Sequence, residues 1–266
     1  MTLETQFDQC LALLPKQEQA AVLSRTNWIA KARPKQMTPE GDWALWLSLA
    51  GRGYGKTKLA SEDAAFFTLD NPGVRQAVVA ATSNDLRKVC FEGDSGLLKA
   101  IPPECIKQYN KSLQSIELYN GSIIEGFSAE KPDRLRGPQF HRAWCDEIAA
   151  WLRPETFDML MFGLRLGTNP QCVITTTPRP TKLIKELINR KNSIVTRGST
   201  FDNRENLAPA FIKAIQAKYE GTRLGRQEIY AEILDDNPGA LWTRDLIEET
   251  RVISHPQLSR IVVAID

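Results

Sequence analysis

Apolar residues change their spacing several times along the chain, and each change marks a structural element. In residues 1–24, Leu3, Phe7, Leu11 and Leu14 recur at helical spacing, and a second helical stretch follows Pro15. Residues 33–42 (RPKQMTPEGD) carry two prolines and a glycine and read as a loop. Residues 43–50 (WALWLSLA) are almost continuously apolar, the pattern of a strand buried on both faces. A glycine-rich stretch, 51–55, separates it from a helical pattern over 56–69. A second buried strand is predicted over 76–81, with Ser83 or Asn84 capping the next helix. Residues 115–119 and 122–127 flank Asn120-Gly121, a strong hairpin signal. Residues 140–145 and 172–176 read as further short core strands. Alternating strands and helices predict an α/β fold, a mainly parallel sheet with helices on both faces.

Beyond Thr177 the pattern changes. Residues 181–189 and 209–220 read as helices joined by a polar strand-like piece, 193–200. The expected division is an N-terminal helical segment (1–32), a core (33–177), a small lid subdomain (178–235) and a linker leading to one more strand (236–266). The linker shows in Asp235-Asp236-Asn237-Pro238-Gly239, and the last strand in RIVVAID, which stops at Asp266. An ending within a strand suggests a piece of a longer protein.

Composition narrows the function classes only modestly. The chain has 266 residues, 42% hydrophobic and 25% charged, with 34 Lys and Arg against 32 Asp and Glu. A net charge of +2 neither demands nor excludes nucleic acid, because clustering of cations decides such binding. No apolar run approaches the roughly 20 residues of a membrane span, and MTLETQFDQC lacks the basic-then-apolar order of a secretory signal. The five cysteines are widely spaced without CxxC, which favours reduced core thiols in a cytoplasm. The two histidines, His141 and His255, are too scattered for a metal site.

The chemistry concentrates in two places. Ala50-Gly51-Arg52-Gly53-Tyr54-Gly55-Lys56-Thr57 has the spacing of a phosphate-binding P-loop, with Ala50 where the first glycine usually stands. Gly51, Gly53 and Gly55 let backbone N–H groups turn towards phosphate oxygens, and the following helix presents its positive end. Lys56 would reach the β- and γ-phosphates of ATP, and the Thr57 hydroxyl would ligate Mg²⁺. Arg52 could contact the γ-phosphate, pair with an acidic neighbour to position the loop, or be solvated. Downstream, His141-Arg142-Ala143-Trp144-Cys145-Asp146-Glu147 reads as a strand ending in two acids, interrupted by Arg142. Asp146 would hold Mg²⁺, and Glu147 would orient and deprotonate the attacking water. A Glu directly after the Asp points to ATPases with an additional strand between the P-loop strand and the acidic strand.

With these residues placed, the chain resembles the ATPase domain of the large terminase subunit of tailed bacteriophages, the DNA-packaging motor. The resemblance runs from about Arg33 to Asp266 and rests on ARPKQMTPEGDW, AGRGYGKT, DRLRGP, WCDE, TTTPRP and RIVVAID in that order. It implies an arginine finger at Arg136, with Arg134 as a rival, reaching a neighbouring subunit's ATP. It implies a coupling motif at Thr175, Thr176 and Thr177, and adenine recognition by Arg33 and Gln36. It implies double-stranded DNA as substrate, a homo-oligomeric ring (a pentamer on the portal), and the portal protein and small terminase subunit as partners, in the host cytoplasm. In full-length members a nuclease domain follows, and Asp266 sits where its first metal-binding Asp would be; one carboxylate builds no two-metal site, so no nuclease activity is expected. The alternative is another DNA-translocating P-loop ATPase, helicase-like or a recombination motor.

Overall fold

The computed structural model describes residues 3–219, 222–233, 241–242, 244–250 and 260. The chain divides into two units, Met1–Ile233 and Leu234–Asp266. In the second unit the described element is helix α10 (Arg244–Thr250). The expected strand at RIVVAID lies, apart from Arg260, outside the described residues.

The first unit opens with α1 (Leu3–Ala12) and α2 (Lys16–Lys31), as the helical spacing predicts. Then follow β1 (Leu45–Ala50), α3 (Lys56–Asp70), β2 (Arg75–Ala80) and a short α4 (Ser83–Asp85) that runs on as a π-helical turn over Leu86–Phe91. The cap of α4 is Thr82, whose hydroxyl accepts from the Asp85 N–H, one residue ahead of the expected Ser83 or Asn84. After α5 (Leu97–Ala100) come β3 (Ile106–Asn110), β4 (Ser115–Leu118), β5 (Ile123–Ser128), β6 (Arg142–Asp146), α6 (Glu155–Gly163), β7 (Gln171–Thr176), α7 (Lys182–Asn189) and β8 (Ser193–Gly198). Helices α8 (Pro209–Tyr219) and α9 (Arg223–Glu228) complete the unit.

Among the described residues the strands form one sheet in the order β3-β4-β5-β2-β6-β7-β1-β8. The pairs β5–β2, β2–β6, β6–β7, β7–β1 and β1–β8 are parallel. The Asn120-Gly121 hairpin joins the antiparallel β4 and β5. β7 separates the P-loop strand β1 from the acidic strand β6, which is the additional-strand order expected of an Asp-Glu pair. β8, which falls inside the expected lid segment 178–235, lies at the sheet edge and pairs in parallel with β1.

Alternation along each strand feeds two cores. Trp46, Val78, Trp144 and Val173 face one layer with Leu59, Ala60 and Phe91. Leu45, Leu47, Leu49, Val79, Cys145 and Ile174 face the other with Phe157, Leu160 and Leu187. Each large side chain buried this way contributes about 1.5–3 kcal/mol. Arg142 does not break the pattern. Its guanidinium makes two hydrogen bonds to Asp63, at 2.7 and 3.0 Å, and one to Gln171 at 2.7 Å. It lies against the rings of Trp43 and Phe67, and Thr38 donates to Asp63 at 2.7 Å. A fully paired charge of this kind locks α3 to the start of β6.

Removing one partner of that pair leaves the other charged and dry, which costs about 3–5 kcal/mol. Asp63→Leu and Arg142→Met should each lower the urea midpoint strongly. The double variant should recover much of the loss, a non-additivity that chemical denaturation of the four proteins reads directly.

Candidate nucleotide-binding site

The parallel strands β1, β6 and β7 end side by side, and their carboxyl ends carry the three predicted motifs. Ala50 is the buried last residue of β1, where the chain is still extended, so the missing first glycine removes nothing. The loop that follows needs its glycines. Gly53 and Gly55 have φ of 74° and 95°, and a Cβ at Gly51 would lie 2.3 Å from the Ile229 carbonyl oxygen. Lys56 is buried at the start of α3, and its Nζ donates to the carbonyls of Ala50 (3.0 Å) and Gly51 (3.3 Å) and to the Thr177 hydroxyl (3.0 Å). It also pairs with Glu147 Oε1 at 3.4 Å.

Asp146 stands opposite Thr175 in the β6–β7 register and accepts from its hydroxyl at 2.7 Å. Trp144 in turn donates to Thr175 Oγ1 at 2.9 Å, which fixes the threonine rotor. Burial, and then the charge of Glu147, push the Asp146 carboxyl up to about 7, against opposing effects from Thr175 and Lys56. The neighbouring Cys90 thiol is buried and pushed well above its ordinary range by burial first and Asp146 next. Glu147 has a left-handed backbone (φ 47°), a strained state for a residue with a Cβ, costing of order 1–3 kcal/mol. That turn carries its carboxylate to Thr177, whose N–H donates at 3.1 Å, with the Thr176 and Thr177 hydroxyls each at 3.4 Å.

A cleft of about 930 Å³ opens over these groups, lined by Gly53, Gly55, Lys56, Thr57, Asp146, Glu147 and Thr177 among others. The structure thus gathers the loop, the acidic pair and Thr177 into one place. Thr175 and Thr176 stand behind it, buried. Arg52 pairs with Glu228 at 2.7 Å, and both line the cleft. Arg33 and Gln36 are not among the lining residues. Arg33 donates to the Tyr54 carbonyl and stacks on the Tyr54 ring, and Gln36 donates to the Gly55 carbonyl at 3.3 Å, so both brace the loop from outside. Arg136 is 69% exposed, pairs with Asp133 at 3.1 Å and also lies off the cleft.

Several cleft residues carried no signal in the sequence. Asp85, Lys88, Asn203, Phe211 and Glu228 come from segments without motifs, and Arg179 follows Thr177 closely enough to have been suspected. The stretch after Gly198 clasps the loop: Thr200 donates to the Arg52 carbonyl (2.7 Å), Asn203 to the Gly53 carbonyl (2.7 Å), and the Arg52 N–H to the Glu228 carbonyl (2.8 Å).

Sheet order, glycine loop and acidic pair define a P-loop NTPase domain. The family model for the terminase large subunit, T4likevirus-type, N-terminal, matches residues 47–249. The chain belongs to that large-terminase family, and the function that goes with it is that of a DNA-packaging motor ATPase. The fold is shared with the Thermus phage P74-26 large terminase ATPase domain at 16% identity and TM-score 0.62, over 77% of this chain and 94% of that one. The large terminase of bacteriophage HK97 matches at 13% identity and TM-score 0.55, over 83% of this chain and 50% of that one. A large terminase of a thermophilic bacteriophage, solved with ADP, matches at 15% identity and TM-score 0.60, over 81% of this chain and 53% of that one. The chain therefore spans about half the length of these whole large terminases. Among curated proteins nothing matches. No helix among the described residues is long and apolar enough to cross a membrane.

An acid whose pKa is higher in the folded chain loses stability as pH rises from its ordinary 3.8 through about 7. Asp146→Asn should therefore stabilise the metal-free protein at pH 8, by of order 1–4 kcal/mol, and leave it unchanged near pH 3. Thermal melts at the two pH values check this.

Proposed function

We propose that the cleft binds ATP with Mg²⁺ and hydrolyses it to drive double-stranded DNA into a procapsid. The observation that carries this reading is the convergence of Lys56, Thr57, Asp146, Glu147 and Thr177 on one cleft. Thr57 and Asp146 suit Mg²⁺: a hydroxyl and one dry carboxylate, with no cluster of three ligating side chains among the described residues, match a cation that keeps waters and phosphate oxygens as its other ligands. When bound, the cation would neutralise charge on the phosphates. Lys56 holds the terminal phosphates. Glu147, strained into place and oriented by Thr177, accepts the proton of the attacking water. The same Thr177 touches both Lys56 and Glu147, so loss of the γ-phosphate changes its partners first.

That change passes outward through the loop, whose carbonyls are held by Thr200 and Asn203. The lid that shifts DNA is accordingly drawn from the part of 178–235 beyond Gly198, against a core of 33–177. Arg136, exposed and off its own cleft, completes the site of the next copy in a homo-oligomeric ring, a pentamer on the portal, to which the small terminase subunit delivers DNA. Gln36 and Arg33 set the loop from behind and meet adenine only if they exchange their present carbonyl partners.

Phosphate release should fall at least about 100-fold in Glu147→Gln, with ATP binding retained. Equal rates in variant and wild type would remove the hydrolysis reading. In assembled rings, Lys56→Ala and Arg136→Ala proteins should each be inactive alone and recover activity when mixed, because only an arginine acting between copies lets one intact loop meet another copy's finger. Mixed rings as inactive as the separate ones would place the finger in the same chain.

A further inference from the structure

A second cavity, of about 390 Å³, lies apart from the nucleotide cleft and shares none of its lining residues. Four cations line it, Arg87, Lys111, Lys131 and Arg134, together with Ser83 and Gln114, and no Asp or Glu does. Small-molecule pockets are mostly apolar; this one is mostly polar and cationic. Lys111 pairs with Glu92 at 3.2 Å. The side chains of Arg87, Lys131 and Arg134 make no ion pair or hydrogen bond among the described residues, although Arg87 is near enough to help hold the Glu92 carboxyl low, after the pairing of Lys111 and Tyr109 with it. Of the two acids in the 128–134 stretch, Glu130 accepts from Ser128 at 2.9 Å and Asp133 pairs with Arg136 at 3.1 Å.

The wall is built rather than accidental. Gln114 has a left-handed backbone (φ 53°) at the turn between β3 and β4, and its side-chain amide donates to the Ser83 carbonyl at 3.0 Å. The Gly126 N–H donates to the Gln114 carbonyl at 2.9 Å, and a Cβ on Gly126 would come 2.9 Å from a Leu86 methyl. The hairpin is thus pinned to the 83–91 segment, and cations from three separate stretches of chain face one hollow. That same segment lines both cavities: Asp85, Lys88 and Val89 face the nucleotide cleft, and Ser83 and Arg87 face the basic pocket. It holds the π-helical turn, a geometry frequent at functional sites.

We infer that this pocket grips a backbone phosphate of duplex DNA, and that the 83–91 segment joins that grip to the nucleotide cleft. The inference rests on the packaging-motor reading. Sequence-independent translocation requires phosphate contacts rather than base contacts. Guanidinium groups from Arg87 and Arg134 provide the forked donors that phosphate oxygens favour, and Lys131 adds a point charge.

The test uses the full chain and a fluorescein-labelled duplex of random sequence, titrated at several salt concentrations. Arg87→Gln/Lys131→Gln should bind the duplex about tenfold or more weakly, and the slope of log K against log salt should flatten by about one, for the one phosphate the pocket holds. Lys131→Gln alone, at an exposed position, should show half that flattening, and Lys131→Arg should restore it. ATP affinity should be unchanged in all of them. A wild type that releases phosphate and binds the duplex, beside variants of identical affinity and slope, would overturn the pocket assignment and leave the motor reading standing. Wild type without phosphate release would overturn the motor reading instead. Variants that lose affinity for inorganic phosphate or ATP but not for the duplex would reassign the pocket to a free phosphate.

Discussion

Parallel pairing of β6, β7 and β1 is the constraint on which the site depends. Because the three strands run together and in register, their carboxyl ends deliver the Asp-Glu pair, the threonine run and the glycine loop to one edge. Ser48, Thr175 and Asp146 occupy one row across the sheet, all buried. Slipping one strand by a single residue would turn every side chain to the opposite face. Asp146 would then point into the layer of Leu47 and Ile174, and the hydroxyls of Thr175 and Thr177 would lose their partners. The apolar alternation that builds two cores is therefore also what aims the polar ends, and fold and site share one cause.

Around that edge, charge is rationed by hydrogen bonds. Two carboxylates face one ammonium in a mostly dry setting, and the sheet answers with hydroxyls: Thr175 to Asp146, Thr176 and Thr177 to Glu147. A hydroxyl can donate or accept by rotating. Thr177 already touches both Lys56 and Glu147, so a change in either partner re-aims it without moving backbone. The loop's outer carbonyls are meanwhile held by Arg33, Gln36, Thr200 and Asn203, two from before β1 and two from after β8. In the proposed cycle, a rotor inside the loop and a clasp outside it give the phosphate signal a short path to the segment beyond Gly198.

Much of this was legible from residue patterns. The P-loop, the Asp-Glu strand end, the hairpin at Asn120-Gly121 and the additional-strand order follow from local rules, because glycine, carboxylate and apolar alternation each act over a few residues. What stayed hidden depends on contacts between distant segments. Arg142 interrupts a core strand in sequence because its partner, Asp63, lies on α3; two buried charges satisfy each other only once the fold brings them together. β8 read as part of a lid because its residues are only half buried, as an edge strand's are. Asn203 and Glu228 reach the loop from far downstream, and nothing in their neighbours announces it. Cations of the basic pocket were visible as residues but not as a cluster, since three stretches contribute them.

Which arginine meets charge developing on the transferred phosphoryl group is, in the proposed cycle, a question of where each side chain is already committed. Arg52 is paired with Glu228, Arg142 is buried on Asp63, and Arg33 is bound to the outside of the loop. Arg134, the rival in sequence, lines the basic pocket instead, which leaves Arg179 and Arg136 to compare. Arg179 lines the cleft just past Thr177, so it would face bound phosphates throughout. Contacts equally good before and during reaction raise affinity without raising turnover. Arg136 is exposed and held by its near neighbour Asp133. A surface ion pair of that kind is worth about 0–1 kcal/mol, so its release costs little. An arginine that can leave its resting partner cheaply, enter another copy's cleft and withdraw again can be present for the transition state and absent from the ground state. That difference is what accelerates a step, and it ties the moment of hydrolysis to the position of the neighbouring subunit.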